Sequence, residues 1–232
     1  MTGTAVHTLF DALAWAVSLG ALIVLRRGWF AGGPVGEGLR FGYAAAVLFG
    51  AGTGAWLFGT LNLWASGMAG PGRSVEGALA GAILAVELYK KANGIAARTG
   101  AVYALPLALG VAVGRIGCLL SGLEDFTHGV PTGAGWGWDF GDGIPRHPVQ
   151  LYESIAMAMF AALYLVMMAR GSLLWREDGF YLAVGFYAAQ RFVWEFLKPY
   201  DPVLAGMTVF HLLSIALLGY AMERIWSRRK AA

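Results

Sequence analysis

The sequence predicts an all-α integral membrane protein of about seven transmembrane helices. Three observations carry that expectation. Hydrophobic residues make up 58% of the 232 and charged residues only 13%, where an ordinary soluble domain carries about 25% charged residues. The run from Phe41 to Gly72 holds no charge at all. The basic residues fall in short clusters between apolar segments rather than along one face, which excludes a nucleic-acid surface despite the pI of about 9.1.

About twenty residues rising ~1.5 Å each cross a hydrocarbon core of ~30 Å. Apolar runs near that length occur at 5–25, 41–64, 74–89, 99–121, 148–169, 179–197 and 203–222. The first has no basic residue before it and ends at Arg26-Arg27, the reverse of a cleavable leader's charge order, so it is expected to stay attached as a helix. The second carries Gly50-x-x-x-Gly54, the third Gly77-x-x-x-Gly81 and the fourth Gly110-x-x-x-Gly114, spacings that let helices approach closely. The whole chain, 1–232, reads as one transmembrane domain. Between the fourth and fifth runs, residues 122–147 form the longest connection. Its acidic residues, glycines, Trp136 and Trp138 suit a small cap outside the membrane, with indoles at the headgroup level.

Orientation follows from Lys and Arg, which are retained on the cytoplasmic side. With the amino terminus outside and the carboxyl terminus inside, the inner segments hold Arg26, Arg27, Arg40, Lys90, Lys91, Arg98, Arg170, Arg176, Arg224, Arg228, Arg229 and Lys230. The outer ones hold only Arg73, Arg146 and Lys198. Arg115 and Arg191 remain, both inside predicted spans.

An ionisable group in hydrocarbon marks a site unless a partner or water explains it. This topology puts Asp11, Glu76, Arg115, Gln150, Glu153, Arg191, Glu195 and His211 in the outer half of the bilayer, whereas Glu87 sits near the inner end, one turn from Lys91. Tyr187, Arg191 and Glu195 follow at i, i+4 and i+8 and so share a helix face. A structural reading pairs Arg191 with Glu195 and Arg115 with Glu153 or Glu76. Ion pairs in apolar surroundings add little net stability, however, and two guanidiniums at one depth match phosphate oxygens, so a pocket for an anionic lipid headgroup is the sharper reading. A transporter or proton relay is the other class; it needs ionisable groups through the whole depth, and the inner half has almost none.

One cysteine, Cys118, excludes an internal disulfide, and the four histidines show no zinc-ligand spacing. No metal site is expected; Asp139 and Asp142 do not have the spacing of a calcium-binding loop. Cys118 lies one turn from Arg115, where it reads either as a small packing residue or as a thiol acceptor or nucleophile.

Gly114-Arg115-Ile116-Gly117, then Gly129-Val130-Pro131-Thr132, then Pro145-Arg146-His147-Pro148-Val149-Gln150-Leu151-Tyr152-Glu153, and finally Tyr187-x-x-x-Arg191-Phe192-x-x-Glu195 resemble the prolipoprotein diacylglyceryl transferase family in order and spacing. The resemblance implies a multi-pass protein of the bacterial cytoplasmic (inner) membrane, acting from the outer leaflet. It implies transfer of diacylglycerol from phosphatidylglycerol to the lipobox cysteine thiol of a preprolipoprotein, forming a thioether and releasing glycerol phosphate, with no cofactor. Arg115 and Arg191 would hold the phosphate, Tyr187 would position Arg191, and Glu195 would orient it. Arg146, His147, Gln150, Tyr152 and Glu153 would shape the mouth and bind the headgroup, and Gly129 would shape the loop over it. The family's Ser-Phe-His-Gly-Gly block stands here as Ser74-Val75-Glu76-Gly77-Ala78, so Glu76 occupies the place of the histidine base. Cys118 replaces an asparagine, the first-helix tyrosine has no counterpart, and the loop glutamate aligns with Glu124 only after a shift. A related transferase with another acceptor, a non-catalytic anionic-lipid-binding relative and a membrane transporter are the alternatives.

Overall fold

The computed structural model describes residues 3–31 and 33–231, without the side chains of Glu124, Asp125, Arg229 and Ala231; the loop match at Glu124 therefore lies outside the described side chains. Among the described residues there are seven α-helices, one on each apolar run: α1 (Gly3–Arg27), α2 (Arg40–Ala65), α3 (Val75–Ala92), α4 (Ala104–Ser121), α5 (Val149–Ala169), α6 (Leu173–Glu195) and α7 (Val209–Ala231). A two-residue antiparallel ribbon, β1 (Trp138–Asp139) with β2 (Pro145–Arg146), sits in the connection between α4 and α5. Five helices, α1, α2, α4, α5 and α7, are long and apolar enough to cross a membrane. The sequence expectation was broader. α3 carries Glu76, Glu87, Lys90 and Lys91, and α6 begins six residues earlier than the apolar run, taking in Arg176, Glu177 and Asp178; those charges dilute both segments.

The chain forms two compact units, Met1–Trp29 with Ala101–Pro199, and Phe30–Gly100 with Tyr200–Ala232. In the first, α1 packs on α4, and α4 on α5 and α6. The α1–α4 seam is built on small residues: a methyl group at Gly110 would meet Ser18 Oγ, and one at Gly117 would meet Phe10. Ser18 Oγ donates across it to the carbonyl of Pro106 (2.9 Å). Ser154 Oγ ties α5 to α4 by donating to the carbonyl of Ala112 (2.7 Å), so this polar hydroxyl is satisfied within the packed helices. Phe160 stacks on Phe186 and meets Trp175, fixing α5 against α6.

In the second unit α2 and α3 approach backbone to backbone. A Cβ at Gly50 or Gly54 would collide with the carbonyl oxygens of Gly81 and Gly77, which is the contact their four-residue spacing predicts. Ser74 caps α3, its Oγ accepting from Gly77 N–H (3.1 Å). Thr208 and His211 cap α7 reciprocally: Thr208 N–H donates to His211 Nδ1 (3.0 Å) and His211 N–H to Thr208 Oγ1 (3.4 Å). The embedded histidine thus has a structural role. Glu87 pairs with Lys90 (3.3 Å) and Arg224 (2.5 Å), and accepts from the Tyr220 hydroxyl (3.0 Å). Lys91, one turn on and expected beside it, is exposed.

Candidate active site

α6 presents Tyr187, Arg191 and Glu195 on one face because they stand four residues apart, and all three are buried. The helix closes in a tight turn in which Lys198 N–H donates to the Glu195 carbonyl (3.1 Å). That turn keeps Lys198, seven residues after Arg191, on the same stripe. α5 supplies Gln150 and Glu153, and α4 supplies Arg115.

These residues meet on Glu153. Its Oε2 lies 2.5 Å from Arg115 Nε, and its Oε1 accepts from Arg191 Nη1 (2.9 Å) and lies 3.1 Å from Lys198 Nζ. Arg191 Nη2 reaches Glu195 Oε2 at 2.7 Å. Of the two partners open to Arg115 in the sequence, the structure gives it Glu153; Glu76, in the other unit, accepts from Ser214 Oγ at 2.6 Å. Among the described residues the cluster therefore sets three buried cations against two buried carboxylates. Burying a charge is costly unless it is paired, and the excess positive charge suits an anion. Burial, and then the neighbouring charge of Arg191, push the Lys198 amine down to about 8.

Gln150, also fully buried, has no hydrogen-bond partner on either amide atom among the described residues. It is one helical turn before Glu153. An orphaned amide there is free to bind a polar ligand group.

The rim comes from the loop. Gly129 N–H donates to the His147 carbonyl and His147 N–H to the Val130 carbonyl (both 3.1 Å), while Val130 N–H donates to the Leu197 carbonyl (2.7 Å), next to Lys198. Only glycine fits at 129, since a Cβ there would press on the carbonyl and Cβ of His147. The Tyr152 hydroxyl accepts from Trp136 Nε1 (2.9 Å) and lies 3.3 Å from His147 Nδ1. Arg146 is placed apart from the buried cluster: its guanidinium grips Asp142 in a bidentate pair (2.8 and 2.7 Å) on the ribbon. That bond holds the Asp142 carboxyl down at about 2 and pushes Arg146 up.

The profile of the family "Prolipoprotein diacylglyceryl transferase" matches residues 30–226. The chain belongs to the prolipoprotein diacylglyceryl transferase family. It is 34% identical over 214 residues to the phosphatidylglycerol–prolipoprotein diacylglyceryl transferase of Geobacter sulfurreducens, covering 82% of this chain and 77% of that protein. It is 33% identical over 191 residues to the enzyme of the same name from Nitrobacter winogradskyi, covering 74% and 60%. Over 189 residues it is 34% identical to that of Methylocella silvestris, covering 73% and 63%. The alignments thus span less than two thirds of the length of the latter two relatives. No solved structure matches.

Within this family the residues that the motifs single out, Arg115, Gln150, Glu153, Tyr187, Arg191 and Glu195, come together in one unit, with Gly129, His147 and Tyr152 beside them at the rim. The sequence alone marks Lys198 as an outer basic residue and nothing more. Its place at i+7 from Arg191, on the stripe already marked by Tyr187 and Glu195, was the available signal.

Proposed function

We propose that this chain transfers the diacylglyceryl group of phosphatidylglycerol to the lipobox cysteine thiol of a preprolipoprotein, at a site facing the outer leaflet of the bacterial cytoplasmic membrane. All seven helices would span, with the amino terminus outside; α3 and α6 would bury their charges within the protein. The observation that carries the reading is the cluster of Arg115, Arg191 and Lys198 on Glu153 and Glu195. Its excess positive charge, in surroundings of low dielectric, supports binding of a phosphate diester.

In this mechanism Glu153 and Glu195 hold the guanidiniums in fixed orientation, so little reorganisation is needed when the leaving phosphate gains charge. Arg115 and Arg191 bind the phosphate oxygens, and Tyr187, one turn before Arg191, positions that side chain. The unpartnered Gln150 amide binds a headgroup hydroxyl. His147, Tyr152, Gly129 and Arg146 shape the mouth. The acceptor sulfur attacks the glyceryl carbon as the phosphate leaves; Glu76 is the candidate for the thiol proton solely because it stands in the place of the family's histidine.

The test is to incubate the purified chain with labelled phosphatidylglycerol and a lipobox peptide. The expected result is a peptide mass gain of one diacylglyceryl group, with equimolar glycerol phosphate. Lipid binding without release would leave a lipid-binding protein instead.

A further inference from the structure

A bilayer offers no water to a bare polar group, so a covered side chain without a partner stands out in a membrane helix. Two such side chains lie on α6 beside the cation cluster. Among the described residues, Gln190 has no hydrogen-bond partner on either amide atom and Trp194 has none on Nε1, although all three atoms are covered. Gln190 immediately precedes Arg191, and Trp194 immediately precedes Glu195.

The seam between α5 and α6 shows where they stand. Trp194 meets Tyr152 with ring centroids 5.2 Å apart, and Phe186 stacks on Phe160, also at 5.2 Å. Phe186, Gln190 and Trp194 follow at i, i+4 and i+8 on α6, as Tyr152, Ala156 and Phe160 do on α5. Those two ring pairs set the helices antiparallel, so the position opposite Gln190 is Ala156. A small residue thus faces the carboxamide between one aromatic pair and the next. Gln190, Trp194 and Ala156 are each half-buried. The seam is therefore open on one flank, where a change of rotamer turns the amide and the indole N–H outward.

The chemistry of the three groups selects the ligand. A carboxamide both donates and accepts, whereas an indole only donates. The ester carbonyls of a phospholipid only accept and would leave Gln190 Oε1 bare. A peptide main chain carries both N–H and C=O, and so satisfies all three. An extended peptide segment within the bilayer needs such partners, because each unpaired main-chain group there is costly.

We propose that Gln190 and Trp194 bind the main chain of the acceptor peptide beside its cysteine. Gln190 donates to one peptide carbonyl and accepts from a peptide N–H, and Trp194 Nε1 donates to a neighbouring carbonyl. The inference rests on the proposed function for its acceptor. In the topology proposed there α6 runs outward, which puts Gln190 on the inward side of Arg191. The glyceryl carbon of a lipid held by its phosphate lies on that side too, since the acyl chains point inward.

The experiment uses the full chain in vesicles where phosphatidylglycerol is diluted with a neutral phospholipid. Binding of a lipobox peptide with serine in place of its cysteine is measured beside transfer to the unaltered peptide and the KM for phosphatidylglycerol. Gln190→Leu and Trp194→Phe are each expected to weaken peptide binding by about fivefold or more, with the KM for phosphatidylglycerol unchanged. An ester in place of the main-chain amide beside the serine removes one N–H. It should weaken binding to the wild type by a similar factor and cost Gln190→Leu nothing further. Undiminished peptide binding in both variants would overturn the inference, as would an ester penalty that persists in Gln190→Leu or a wild type that binds no peptide. A raised KM for phosphatidylglycerol with peptide binding intact would give the pair to the lipid esters and overturn it as well. A wild type that binds the serine peptide through Gln190, yet releases no glycerol phosphate with the cysteine peptide, would remove the proposed function alone.

Discussion

Lys198 Nζ lies 3.1 Å from Oε1 of Glu153, the oxygen that also accepts from Arg191. A carboxylate shared among three cations cannot neutralise them, and among the described residues Glu195 brings one further negative charge. The amine is the member that can respond, since the guanidiniums stay charged at every accessible pH. An anion entering the cluster would favour the protonated amine, and its binding would then depend on pH.

The sign of that coupling is fixed by the shift. Lys198 titrates at about 8 in the folded chain, below its ordinary 10.5. Between those values the unfolded chain binds more protons, so this group's contribution to stability rises with pH across the window. Headgroup affinity should move the other way, falling as pH passes about 8 and the third cation is lost. Phosphatidylglycerol binding followed from pH 7 to 10 is expected to fall in the wild type, to be weak and flat in Lys198→Met, and to hold to higher pH in Lys198→Arg. Parallel profiles in all three would place Lys198 outside the binding step.

The two guanidiniums make a second prediction. Arg115→Lys and Arg191→Lys keep the charge but lose the planar fork that reaches both Glu153 and a phosphate oxygen. Each should cut turnover more than tenfold, upward of about 1.4 kcal/mol in the barrier. Near-normal rates in both would make these arginines structural.

Much of this site could be read from the sequence because its residues repeat at helical spacing. Tyr187, Arg191 and Glu195 declare a shared face, and Gly50, Gly54, Gly77 and Gly81 declare a close helix pair, before any coordinates are seen. What spacing within one segment cannot give is the partner on another. The choice of Glu153 over Glu76 for Arg115 and the Ser214 hydroxyl on Glu76 depend on how distant segments pack. Lys198 was hidden differently. A lysine in a short connection counts as a topology signal under the charge rule, which is blind to whether its stem turns back into the protein.

Gly129 offers a test of the rim. Gly129→Ala would set a methyl against the His147 carbonyl and Val149, and overpacking of this kind typically costs about 1–3 kcal/mol. The loop's two hydrogen bonds to His147 should loosen, lowering turnover together with thermal stability. A fully active variant of unchanged stability would show that the loop shifts freely.

Topology is checked directly by reporters. The basic residues favour a cytoplasmic carboxyl terminus, so a reporter fused after Ala232 is expected inside, and one inserted near Gly135 outside. A cytoplasmic reporter at Gly135 would overturn the outer-leaflet placement of the site.

Glu76 carries the last prediction, because it stands where the family pattern has a histidine. Its carboxylate accepts from Ser214 Oγ (2.6 Å) and is almost wholly buried, an arrangement compatible with a proton acceptor or with a purely structural bond. Two substitutions separate these roles. Glu76→Gln keeps the size and still accepts from Ser214 but cannot take up a proton, whereas Ser214→Ala removes the hydroxyl and leaves the carboxylate. If Glu76 is the base, Glu76→Gln abolishes thiol transfer while phospholipid binding persists, Glu76→His retains or raises it, and Ser214→Ala keeps most of it. If the bond is only structural, transfer survives in Glu76→Gln, and Ser214→Ala lowers stability by about 1.5–3 kcal/mol through the lost hydrogen bond to the carboxylate. Measuring peptide transfer, lipid binding and thermal unfolding on the three variants decides between them.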